Sequence, residues 1–162
     1  MGVAYSVVAE HEVAGFDPVE AVPNGRSVAR ASDPLDILAA AAGVGSLLES
    51  TSVPPKEAAS IGGWIPPEDR EPDQPYPWFG GEEPPGPDQF PPEAWFEPGE
   101  GLAIVRTLIA ALEADPAALA APRRRTQAEI DPDDVLADLR DIEIAFARLD
   151  AAGVRWHLAI DF

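Results

Sequence analysis

Two histidines and the carboxylates around them are the residues of this chain best suited to chemistry. His157 and Asp161 fall on one face of a C-terminal segment in which large apolar residues alternate with others. An imidazole beside a carboxylate can move a proton or help hold a divalent metal. Along a strand, however, four residues span about 13 Å, well beyond hydrogen-bond reach. His157 would have to meet a residue of a neighbouring strand, such as Ser6 or His11. Glu10-His11-Glu12 adds further carboxylates, but its spacing matches no metal motif of the His-Glu-x-x-His kind. The plainer expectation is that both histidines are structural or exposed.

Asp134, Asp138 and Asp141 form a second group, at spacings of four and three on one side of a predicted helix. Paired carboxylates do acid–base work only in a cleft that drives their pKa values apart. These three fall largely off the apolar stripe and share the helix with Arg140 and Arg148, so a solvated face is expected. The spaced ligands and central glycine of a calcium loop are missing. Arg123-Arg124-Arg125 is the one basic cluster, expected to be solvated or paired with the chain's own carboxylates. The glycines at 43, 45, 99 and 101 lack the rest of a phosphate-binding fingerprint, and there is no Gly-x-Ser-x-Gly elbow. The sequence therefore assigns no catalytic residue, no metal ligand and no cofactor.

The elements that would position these residues can be read from periodicity. Asp131-Pro132-Asp133-Asp134 is a helix start, with a capping carboxylate, a proline at the first helical position and acids near the positive end of the dipole. Val135, Leu139, Ile142, Phe146 and Leu149 then make one apolar stripe, and Gly153 suits a left-handed cap. Trp156, Leu158, Ile160 and Phe162 alternate with Arg155, His157, Ala159 and Asp161 as a half-buried strand does. Val3–Val13 reads as a first strand with Val3, Tyr5, Val7 and Ala9 on its core face, and the two terminal strands are expected to pair.

Between them, turn signals fill Gly15–Gly25, with Phe16 and Val19 as expected anchors. Asp33-Pro34 opens a short helix with Leu35, Leu38, Ala39 and Ala42 inward and Gly43 as its stop. Ser46–Val53 reads as a weak strand, and Lys56–Ile61 as a turn of helix behind Pro55. Leu102, Val105, Leu108, Ile109 and Leu112 predict a helix from Pro98 to Asp115-Pro116, followed by a short turn over 117–121. The fold class is α+β: a small sheet containing both terminal strands, packed on about three helices.

Residues 54–98 differ in composition. They hold 13 of the 19 prolines, and from Trp64 to Pro98 nine acids face a single base, Arg70. Disordered segments are poor in aromatics, yet this one carries Trp64, Tyr76, Trp78, Phe79, Phe90, Trp95 and Phe96. A single domain, 1–162, with 54–98 as an acidic loop wrapping it, is the expected organisation. The loop's rings are expected first to anchor it over the domain's own core, and a polyproline-ligand role is disfavoured by the acidic flanks. If the loop instead meets a partner, aromatic rings dominate many interfaces, which makes Trp64, Trp78, Phe79 and Trp95 the partner-binding candidates.

Charge narrows the function classes most. A formal net charge of −18 in 162 residues opposes binding to nucleic-acid phosphates or an anionic membrane. No apolar run approaches the roughly 20 residues of a membrane span, and the N-terminus has no basic-then-apolar signal pattern. A cytoplasmic location is the resulting expectation. The chain contains no cysteine, so disulfides and thiolate chemistry are excluded. Ten of its eleven basic residues are arginine, which with abundant Ala, Pro and Gly resembles GC-rich bacterial coding. Together these features favour a small acidic protein that binds a basic protein partner, an immunity-type inhibitor being one form. The alternative is a small enzyme or metal-binding domain built on His11, His157 and nearby carboxylates.

Overall fold

The computed structural model describes residues 3–69, 84–120 and 130–161. Tyr76, Trp78, Phe79 and Arg123–Arg125 lie outside the described residues, as do the side chains of Val19 and Asp161. The protein is α+β, with a two-stranded antiparallel sheet made from the two ends of the chain. By internal contacts it forms two compact units, one made of 1–52 with 95–162 and the other of Val53–Ala94.

In the first unit, β1 (Ala4–Ala9) pairs with β2 (Trp156–Asp161), in a register that sets Val7 opposite Leu158 and Ala9 opposite Trp156. Directly opposed residues share a face. Tyr5, Val7, Ala9, Trp156, Leu158 and Ile160 therefore form one face, and Val7, Trp156 and Leu158 are wholly buried. This is the pairing and the core face expected from the alternation of the two segments.

Between the strands come α1 (Pro18–Ala21), α2 (Arg26–Arg30), α3 (Ser32–Ala42), α4 (Pro55–Ile61), α5 (Pro98–Ala114) and α6 (Pro132–Ala152). α4 belongs to the second unit. The core of the first lies where α5 and α6 pack on each other and on the sheet. Asp131 caps α6 by accepting from Asp133 N–H at 2.9 Å, and Gly153 ends it with φ 64°. The stripe Val135, Leu139, Ile142, Phe146 and Leu149 is fully buried, as are Val105 and Leu112 on α5. Arg106–Glu143 at 2.7 Å and Arg140–Glu113 at 2.8 Å link the solvent sides of the two helices. Exposed pairs of this kind contribute at most about 1 kcal/mol each, so apolar burial holds the pair together.

Trp156 sits at the centre of this packing. Its ring lies 4.1 Å from Phe146 and 5.7 Å from Phe96, centroid to centroid. Its indole N–H donates to Glu97 O at 3.0 Å, so the one polar atom it buries is satisfied. Gly101 on α5 leaves room for the ring; a Cβ there would stand 2.7 Å from Trp156 Cε2 and 2.9 Å from Phe146 Cε2.

Three local expectations are corrected. The start predicted at Asp33-Pro34 moves back to Ser32, because α2 ends at Arg30 and Ala31 joins the two helices without a side-chain cap. Pro34 still sits in the first turn, where a missing N–H costs nothing. Gly43 is the stop, with φ 73°, while Ala42 is exposed. The weak strand at Ser46–Val53 is a turn of 3-10 helix, Leu48–Ser50, followed by a single bridge at Thr51. Ser46 Oγ accepts from Leu48 N–H and Glu49 N–H, drawing the chain into a turn instead of a ladder. α2 has no counterpart in the sequence reading.

In the second unit, α4 starts with Pro55 at its first position and buries Ala59 completely. Single 3-10 turns follow at Pro67–Asp69 and Pro87–Gln89, the latter packed on α4. The proline-rich stretch is thus partly helical within its described residues.

Candidate functional site

The two histidines have different environments. The His11 side chain is 73% exposed, past the end of β1, and its Nε2 is 3.9 Å from Glu10 Oε2. His157 is 1% exposed, on the sheet face opposite the main core. Its Nδ1 lies 3.0 Å from Leu158 O, and the Trp95 ring covers it with centroids 4.7 Å apart. Glu10 is committed to Arg155 through a two-pronged ion pair. That hydrogen bonding holds the Glu10 carboxyl below the usual carboxylate range. Among the described residues no three His, Cys, Asp or Glu side chains are grouped so as to hold a metal ion.

The aspartates of α6 divide, and here the expected solvated face is corrected. Asp134 is exposed, but Asp138 is 2% exposed. Its Oδ2 accepts from Ser27 N–H at 2.8 Å and Val28 N–H at 3.2 Å. It caps the first turn of α2, whose own N-cap, Gly25, has no side chain to offer. Asp141 is half-buried, and its carboxyl is pushed above the ordinary range, first by burial and then by the charge of Asp138.

Of the four aromatic candidates, Trp95 is turned inward onto His157. Trp64 is half-buried and lies beside Gly86 inside the second unit; a Cβ on that glycine would come 3.4 Å from Trp64 Nε1. Trp78 and Phe79 are outside the described residues.

The arrangement that joins charge with shape was not among those candidates. A cavity of about 300 Å³ opens between the α1 region and α6. Asp17 and Glu20 wall one side, Asp141 and Arg148 the other, and Ile144 lies between them. Ile144 is 55% exposed although it sits in the middle of a helix whose other large apolar residues are buried. Local structure positions the walls: Asp17 starts α1, its carbonyl accepting from Ala21 N–H at 2.8 Å and its carboxylate from Glu20 N–H at 3.4 Å. Arg148 donates to Gly15 O at 3.0 Å, which ties the preceding loop to α6. Three carboxylates against one guanidinium leave the site acidic. A hollow of about 430 Å³ beside β1 has the opposite character, with Arg26 its one charged lining residue among those described. The available signal for the acidic cavity was Ile144, an apolar residue off the buried stripe and three positions after Asp141.

No helix among the described residues is long and apolar enough to cross a membrane. No family model matches the chain, and no curated protein or solved structure shows significant similarity to it.

Proposed function

We propose that the protein acts by binding a basic protein partner, and that the acidic cavity between α1 and α6 receives one of the partner's cationic side chains. The cavity's lining carries this reading. A lysine or arginine can lay its aliphatic stem on Ile144 while its charged head reaches Asp17, Glu20 and Asp141. Burial and the charge of Asp138 both disfavour the Asp141 carboxylate, and an incoming cation would offset that by direct charge pairing. The net charge of −18 would steer a basic partner toward this surface and raise the association rate. An inhibitor of the immunity type, covering a basic active site on a toxin, is one form such a protein takes.

The test compares tagged wild-type protein with two variants of equal charge change, in lysate from the source organism. One carries Asp17→Asn, Glu20→Gln and Asp141→Asn; the other carries Asp33→Asn, Glu49→Gln and Asp150→Asn. The expected result is one basic protein retained at low salt, released at high salt and lost only with the cavity variant. Equal loss with both variants would move the interaction away from the cavity. Retention that ignores salt would end the electrostatic reading altogether.

A further inference from the structure

The chain leaves the first unit after Ser52 and re-enters it at Trp95. Both points are fastened to the same edge of β2, the one that β1 does not use. Ser52 N–H donates to Leu158 O at 2.9 Å, next to the parallel bridge between Thr51 and Leu158. Phe96 and Trp156 exchange both of their hydrogen bonds, at 2.8 and 3.1 Å, in an antiparallel bridge. Trp156 and Leu158 are two residues apart on one strand, so the two fastening points are about 7 Å apart along it.

Side chains reinforce each point. Thr51 Oγ1 donates to Leu48 O at 2.9 Å, holding the turn that delivers the departing chain. On the returning side, Trp95 covers His157, Phe96 stacks on Trp156, and Glu97 O accepts the Trp156 indole proton. These contacts are all internal to the first unit. They also satisfy backbone groups of β2 that an open strand edge would leave unpaired.

We infer that Val53–Ala94 is an insertion on a closed root, and that the first unit keeps its fold whatever conformation those residues take. The entropy of closing the excursion is met at the root, and it changes only slowly with what the excursion contains. The sheet, α5 and α6 would then hold their packing around Trp156 independently of 53–94. This goes beyond the proposed binding role, because the acidic cavity is lined wholly by residues of the first unit.

The full-length chain tests the inference when site-specific protease sequences are inserted between Val53 and Pro54 and between Pro91 and Pro92. After cleavage at both, the two outer pieces are expected to elute as one folded particle. Hydrogen-exchange protection of the Ser52, Phe96 and Trp156 amides should stay within about threefold of the uncut protein. Separation of the pieces, or loss of that protection on cleavage, would overturn the inference. So would resistance at either site under conditions that cut the denatured chain, since the insertion would then be an integral part of the fold. Binding to a basic partner is read separately in the same samples, so failure of either idea leaves the other measurable.

Discussion

Asp138 on α6 caps the N–H of Ser27 on α2 from 111 positions away in sequence, at 2.8 Å and almost wholly out of water. A carboxylate in so dry a place has to be offset. Here two backbone N–H groups and the positive end of a helical turn face it. The same contact ties the five-residue α2, too short to persist alone, to the longest helix among the described residues. Replacing Asp138 with Ala removes the acceptor for both groups. We expect a loss of roughly 2–3 kcal/mol in urea unfolding. Asp138→Asn keeps one oxygen acceptor and should lose about half as much. Equal stability of all three proteins would show that the cap contributes nothing.

A side chain at Gly101 is expected to cost more than it gains. An alanine is normally worth about 1 kcal/mol over glycine inside a helix. At this position the added methyl would press on Trp156 and Phe146. Overpacking of that kind costs about 1–3 kcal/mol, so Gly101→Ala should be net destabilising by a small margin. Its Trp fluorescence should shift as the ring moves. A stabilised Gly101→Ala protein would mean that the α5 contact is looser than the geometry shows.

Asp141 supplies a pH test. Its folded-state pKa is raised, so the native protein holds this proton more tightly than the unfolded chain does. The resulting destabilisation is present above the folded pKa, shrinks as pH falls through it, and is gone below the unfolded value near 3.9. Asp141→Asn should therefore raise the melting temperature at pH 7 by about 1–2 °C. The gain should fade toward pH 4. A gain that grows on acidification would contradict the sign.

Glu10 has the opposite sign. Its carboxyl is lowered, first by the hydrogen bond from Arg155, so the pairing favours the fold above the unfolded pKa and is lost as pH falls through the folded one. Glu10→Gln should leave stability unchanged once the pH is below the folded pKa and lower it slightly at neutral pH, where 0.5 M salt should narrow the difference. A deficit that persists at both pH values would point to packing and not to charge.

Trp95, one of the candidates for a partner surface, is half-buried and packs its ring on His157. Trp95→Ala should destabilise the fold by about 2–4 kcal/mol, as loss of a packed aromatic does, whereas Trp95→Phe should restore much of that. Thermal melts of the two variants without any partner decide the matter. An unchanged melt for Trp95→Ala would show that covering His157 contributes nothing to stability.

Much of this protein was legible in the sequence because its main elements carry local signals. The α6 stripe, the Asp131 cap, the Gly153 stop and the alternation of β2 each depend on residues a few positions apart. So does the burial of Leu102, Val105, Leu108, Ile109 and Leu112 on α5. The pairing of the termini followed from two half-buried strands that needed partners. What only the tertiary structure decided depends on contacts between distant residues. Asp138 looked like one member of a solvated acidic face until α2 was brought to it. His157 lay on the polar side of its strand until Trp95 covered it. The acidic cavity joins Asp17 and Glu20 to Asp141 and Ile144, and no periodicity relates positions more than a hundred residues apart. Burial of a polar group, and the gathering of charges around a hollow, are properties of the packed chain.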